Sequence, residues 1–199
     1  MSSFAESYLA ETAAIAAQLD AEAIERMAAE LAAVRDRGGR LFVLGVGGSA
    51  AHASHAACDF RKLCGFEAYA PTDNVAEVTA RTNDDGWEDV FAAWLEGSRL
   101  EARDGVLVFS VGGGDAERGV SANLVRAVDF AQGAGAKTFG VVGRDGGYVG
   151  RTAEVCVVVP TVNEARVTAH TEGMCAVVWH LLVSHPVLLA GTPKWESLR

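Results

Sequence analysis

A doubly wound α/β fold, with a parallel sheet as the middle of three layers and a helical extension at the N-terminus, is what this sequence predicts. Three observations carry the prediction. The runs LFVL at 41–44, VLVF at 106–109, TFGVV at 138–142 and VCVVV at 155–159 are apolar or nearly so throughout rather than alternating, as strands covered by helices on both faces must be. Segments of helical character lie between them, so strand and helix alternate. Glycine-rich turns (GVGG, VGGGD and GRDGG) follow the first three runs and mark loops at the carboxyl ends of strands, the edge where open α/β sheets bind ligands.

The elements follow in order. Residues 3–36 are rich in Ala, Glu and Leu, lack Pro and Gly, and carry Ile24, Met27, Leu31 and Val34 at helical spacing. They form one long helix or a helical hairpin. The strand at 41–44 turns through Gly45, Gly47 and Gly48 into a helix reaching Phe60, and a shorter strand at 66–69 joins the sheet. Helical segments are expected around 87–95 and at 123–134, and a last helix at 164–185 ends at Pro186. With no repeat, linker or low-complexity tract, residues 1–199 read as a single domain, a helical region at 1–36 and an α/β core at 37–199.

Composition narrows the function. The net charge is −9 and the 17 basic residues are scattered, which excludes nucleic acid as a main partner. No apolar run is long enough to cross a bilayer, and the start MSSFAESYLAE has neither a basic n-region nor an apolar h-region, so a cytoplasmic protein with no membrane partner is expected. Cys58, Cys64, Cys156 and Cys175 lack zinc-finger or redox spacing and read as reduced core or near-core thiols.

The turn at 45–48 aims free backbone N–H groups at one spot, helped by the positive end of the following helix, and that arrangement attracts an anion. Ser49 adds a hydroxyl, and His55 and Asp59 stand four residues apart on one face of the same helix. The last helix, GMCAVVWHLLVS from Gly173, has almost no charge and reads as buried nearly all round, with Met174, Val177, Val178, Leu181 and Leu182 as its apolar stripe. Glu172 and His180 fall on the other side, flanking the small residues Ala169, Gly173 and Ala176. His180 alone would be a hydrogen-bonded core histidine and the His55/Asp59 pair alone a surface contact. Together, two imidazoles and two carboxylates suit a divalent metal or a proton shuttle between adjacent carbons.

The turn after the second long strand offers Ser110 and Ser121 as phosphate donors, with Asn123 at the start of the next helix. Asn83 and Asp84 could touch a sugar or water, Asp84 equally well capping a helix, while His170 and Thr171 could contact substrate but read more simply as caps of the last helix, and His52 and His185 read as surface or packing residues.

In their order along the chain, GVGGSAAHASH, TNDDGWEDVF, FSVGGG with SANLVRAV, GRDGG and a final helix bearing a histidine resemble the sugar isomerase (SIS) domain proteins, specifically the phosphoheptose isomerases. The resemblance spans nearly the full length. It implies an SIS-type, flavodoxin-like fold and a homotetramer with active sites between subunits. The implied reaction is aldose–ketose isomerisation of sedoheptulose 7-phosphate to D-glycero-D-manno-heptose 7-phosphate through an enediol or enediolate. It further implies Asp59, Glu172 and His180 as catalytic residues, and one zinc per subunit on His55, Asp59, Glu172 and His180 with no organic cofactor. Substrate and phosphate contacts would come from Gly47, Gly48, Ser49, Asn83, Asp84, Ser110, Val111, Gly112 and Ser121.

The sequence departs from the family pattern in several places. Asp59 stands for the usual Glu, Glu172 for Gln, Val46 for Asn and Ala169 for an acid, and Ser110-Val111-Gly112 with a longer turn replaces Ser-Thr-Ser. Phosphate contact should therefore lean on backbone N–H groups more than on hydroxyls. Two other functions fit the same motifs: isomerisation of another long-chain sugar phosphate, such as an octulose phosphate, in a specialised pathway, or non-catalytic sugar-phosphate binding as a sensor or adaptor.

Overall fold

A computed structural model of the chain describes residues 2–191 and 194, so the extreme ends of the expected 1–199 span lie outside the described residues. Five parallel strands run in the order β2-β1-β3-β4-β5, where β1 is Arg40–Leu44, β2 Glu67–Tyr69, β3 Gly105–Ser110, β4 Lys137–Val142 and β5 Val155–Val158. The chain steps from β1 to one side for β2 and then crosses back for β3. The switch point thus falls between the carboxyl ends of β1 and β3.

Alternation along the strands explains the three layers. Leu41, Val43, Leu107, Phe109, Phe139 and Val141 face one core with α2 (Ala21–Asp36), α3 (Gly48–Cys64) and α8 (Val167–Ser184). Phe42, Leu44, Val106, Val108 and Val142 face the other, with α5 (Val90–Gly97), α6 (Ala122–Gly133) and α7 (Gly147–Thr152). All eleven strand residues are fully buried. Burying a side chain of this kind contributes about 1.5–3 kcal/mol, which is why the strands read as continuous apolar runs.

The N-terminal region is a hairpin of two helices. Ser3 caps α1 (Phe4–Gln18), accepting from the Glu6 amide at 3.2 Å while its own amide donates to Glu6 Oε2 at 2.6 Å. Leu19 leaves the helix at ψ 137°, and the Asp20 carboxylate starts α2 by accepting from Ala23 N at 2.9 Å. α2 buries Ile24, Met27, Leu31 and Val34, whereas α1 buries only Ile15. Polar contacts tie α1 down instead: Glu11 accepts from Asn163, Arg166 and His170 at 2.8–2.9 Å, and the Tyr8 and His170 rings lie 4.4 Å apart.

Several expectations need correction. Val75–Asp84 is a helix, α4, that buries no side chain, so Asp84 ends one helix rather than capping the next. The GRDGG turn runs directly into the short α7. The last segment opens with a 3₁₀ turn, Glu164–Arg166, before α8. α8 is not buried all round: Met174, Val178 and Leu182 are buried, but Val177 and Leu181 are 46% and 40% exposed, sharing the open face with Gly173 and His180. His170 and Thr171 cap nothing; both are buried inside the first turns of α8. Cys58 is exposed, while Cys64 and Cys175 are buried and all four thiols are free.

Candidate active site

The site is built at the carboxyl edge of the sheet, beginning where β1 enters α3. Gly47 turns the chain at φ 63°, ψ −125°, and a Cβ at Gly45 would sit 2.3 Å from the Ser49 carbonyl oxygen, so the turn needs glycine at both positions. In the first turn of α3 the Ala50 amide donates back to Gly47 O at 3.0 Å, which leaves the Gly48 and Ser49 amides without a backbone acceptor among the described residues, at the positive end of the helix. Ser49 is buried there. Ser110, equally sheltered at the end of neighbouring β3, accepts from Gly113 N at 3.1 Å, which leaves its hydroxyl proton free to donate.

Beyond Ser110 the turn closes on the next loop. A Cβ at Gly113 would fall 1.9 Å from the Gly146 carbonyl oxygen, and one at Gly147 would fall 2.1 Å from that of Gly112. The Tyr148 and Val149 amides donate to Gly114 O and Gly113 O at 2.8 and 2.9 Å. The longer VGGGD turn is therefore an interlock that only glycines permit. Its far end returns at Ser121, which holds a left-handed φ of 50° before α6 without capping it. Asn123, fully buried in the first turn of α6, accepts from Leu124 N at 2.9 Å, but its Nδ2 is a buried donor with no acceptor.

Farther along α3, the titratable groups meet α8. Donor atoms of His55, Asp59 and His180 all lie within 4.8 Å of one another, His55 Nε2 standing 3.7 Å from Asp59 Oδ2. His180 Nδ1 donates to the Ala176 carbonyl at 2.8 Å, so the neutral ring presents the lone pair of Nε2. Trp179 stacks on His180 at 3.4 Å and lies 4.6 Å from His55, giving the cluster a dry wall. Two imidazoles and one carboxylate with an open side match the donor set of a catalytic divalent-metal site, three protein ligands and one free position.

Glu172 does not join this set. It lies eight residues before His180, about 12 Å along the helix at 1.5 Å per residue, and its carboxylate instead rests over Gly48, where a Cβ would be 2.5 Å from Oε1. The fourfold constellation thus divides into a His–Asp–His cluster and a carboxylate beside the glycine turn. Asn83 and Asp84 are exposed at the end of α4, bonded to each other at 2.7 Å, and line neither groove at this edge.

Those two grooves, of about 750 and 460 Å³, share Glu164 and Arg144, the latter a residue the sequence reading passed over. The missed signal was a cation inside a glycine-rich turn at the ligand-binding edge. A larger groove of about 940 Å³, at the β2 side of α3, contains none of the candidate site residues.

The SIS domain family model matches residues 6–143. A phosphoheptose isomerase of Roseiflexus sp. is 36% identical over 136 residues, 66% of this chain and 66% of the relative. The lincomycin biosynthesis protein LmbN of Streptomyces lincolnensis is 35% identical over 162 residues, 78% of this chain and 57% of the relative. The alignments thus span about two thirds and somewhat over half of these relatives' lengths. The solved structure of a phosphoheptose isomerase from Neisseria gonorrhoeae superposes with a TM-score of 0.80 at 24% identity, covering 90% of this chain and 96% of that one, a likeness of fold.

Proposed function

Because the chain belongs to the SIS domain family, we propose that it is an aldose–ketose isomerase of a phosphorylated sugar, converting sedoheptulose 7-phosphate to D-glycero-D-manno-heptose 7-phosphate. One observation carries the reading: a single helix, α3, bears both an anion-attracting glycine turn at its start and two of the three members of a His–Asp–His cluster farther along.

The phosphate is held at the switch point by the Ser49 and Ser110 hydroxyls and the amides of Gly47, Gly48, Val111 and Gly112, with Ser121 at the rim. This fixed end orients the reactive carbons, so remote binding energy lowers the barrier at the other end. A carboxylate, Asp59 or Glu172, removes the proton alpha to the carbonyl. His180 Nε2, the ring nitrogen left over by the bond to Ala176 O, has two alternative uses: it exchanges protons with the enediolate oxygens, or it holds an ion and leaves that exchange to water; either way a proton returns to the neighbouring carbon. His55, Asp59 and His180 would hold a divalent ion, zinc by donor type, one per subunit. When bound, such an ion supplies a Lewis acid that steadies charge on oxygen. No organic cofactor is required.

A homotetramer acting in the cytoplasm completes the reading. Phe4 and Leu9 on α1 are 69% and 66% exposed, and the exposed Val177 and Leu181 share the open face of α8 with His180, so a neighbouring subunit that covered them would also dry the cluster. The free thiols suit a reducing compartment.

The test is metal-analysed protein incubated with sedoheptulose 7-phosphate. Aldose formation abolished by chelation and restored by zinc is expected. Turnover that survives complete stripping would assign proton transfer to side chains alone, and inactivity toward every sugar phosphate would favour the binding-module reading. The likeness to a lincomycin biosynthesis protein supports a role in a specialised pathway, so another long-chain sugar phosphate, such as an octulose phosphate, is to be run in parallel.

A further inference from the structure

Arg144 has no role in the scheme so far, yet its placement is unusual. It follows β4 in the GRDGG turn with φ 53°, a left-handed conformation that disfavours residues bearing a Cβ. Its exposed side chain forms no hydrogen bond or ion pair with any described residue. Of the neighbouring cations, Arg118 stands 3.6 Å from Asp115 and Arg166 bonds Glu11 at 2.8 Å, while Arg151 lines only the first of the two grooves. Among the described residues, Arg144 is the one cation common to both grooves at the carboxyl edge. Its aliphatic stem runs beside Gly112, where a Cβ would meet Arg144 Cδ at 3.8 Å, ordinary van der Waals contact.

Charge gives this placement a purpose. Glu172 sets a carboxylate over Gly48 at the mouth of the anion-attracting turn and lines the same groove as Arg144. A phosphate dianion entering there meets a like charge, and the Ser110-Val111-Gly112 turn offers it only one hydroxyl. A guanidinium supplies what the turn lacks: a fixed positive charge and a planar fork of donors matched to phosphate oxygens. We propose that Arg144 binds the phosphate of the substrate, standing in for hydroxyls missing from the serine turn and offsetting Glu172. This rests on the sugar-phosphate reading above.

The test compares wild type, Arg144→Gln, Arg144→Lys and Arg144→Gly in KM for sedoheptulose 7-phosphate, kcat, the inhibition constant of inorganic phosphate, and Tm. In the Gln variant, KM and the phosphate inhibition constant should both rise about 10- to 100-fold, as loss of a charge-assisted contact implies, with kcat changed less than about threefold; Lys should recover part of the loss. Arg144→Gly removes the left-handed strain, so it should lose phosphate affinity while Tm holds or rises. Phosphate inhibition unchanged in the Gln and Gly variants, or a Tm loss without any affinity loss, overturns the assignment. Should wild type neither turn over a sugar phosphate nor bind inorganic phosphate, the isomerase reading itself falls. Should wild type bind and the variants bind equally, only Arg144's role falls.

Discussion

The turn from β1 into α3 and the turn from β4 into α7 are both glycine-rich strand–turn–helix junctions at the same sheet edge, but their amides have different fates. At α3 the Ala50 amide is used within the turn, by Gly47 O, but the Gly48 and Ser49 amides have no backbone acceptor among the described residues. At α7 the Tyr148 and Val149 amides are consumed by the carbonyls of Gly114 and Gly113. The first junction is built to receive an anion, and the second to lock two loops together. Composition alone does not distinguish them. Where the backbone hydrogen bonds go does.

Substitutions should separate the junctions in order of effect. His180→Ala, on the helix that faces α3, should cut kcat about 10³-fold by removing the one free ring nitrogen, whether it serves as ligand or as proton carrier, with Tm barely moved because the ring is exposed. At the other junction, Gly147→Ala drives a Cβ into a backbone oxygen at 2.1 Å with φ 55°. A loss of about 3 kcal/mol or more in denaturant unfolding is expected, and a variant as stable as wild type would dissolve the interlock. Gly48→Ala sharpens the contrast. The obstructing atoms are the mobile end of Glu172, at 2.5 Å, so stability should hold while kcat/KM falls about tenfold.

The same question put to α1 yields a pH dependence. Bonds from Asn163 and His170, outweighing desolvation, hold the Glu11 carboxyl down to about 2 from 4.5. Because the folded value is the lower one, the stabilisation is complete above pH 4.5 and is lost as pH falls toward 2. Wild-type Tm should decline through that window, and Glu11→Gln should flatten the decline. The smallest effect concerns thiols. Burial pushes Cys64 up to about 11 and Cys156 and Cys175 up to about 12, so a thiol-titrating reagent should find one fast group in the native protein, Cys58.

β1, β3, β4 and β5 were legible in the sequence as runs apolar or nearly so throughout, whereas β2, whose Glu67 and Tyr69 are exposed, showed only as a short stretch after a helix. α4 was not legible, since a helix that buries nothing leaves no stripe to read, and α7 was hidden in a six-residue element beginning within a glycine turn. Of the site, His55 and Asp59 were plain from their one-turn spacing, and His180 from an imidazole in an apolar helix. Glu172 misled because sharing a face with His180 suggested one cluster, although eight residues of helix already separate the two by about 12 Å along the axis. Val177 and Leu181 misled because apolar side chains awaiting a neighbour look, in sequence, like core. Arg144 went unread because a cation inside a glycine-rich turn is a weak signal until its left-handed backbone is seen in three dimensions.

Proton exchange at the substrate carbon alpha to the carbonyl tests the central claim most directly. With metal-loaded protein in D₂O and sedoheptulose 7-phosphate, NMR should show deuterium entering that position in the wild type and none above background in His180→Ala. Equal exchange in both proteins would contradict the account.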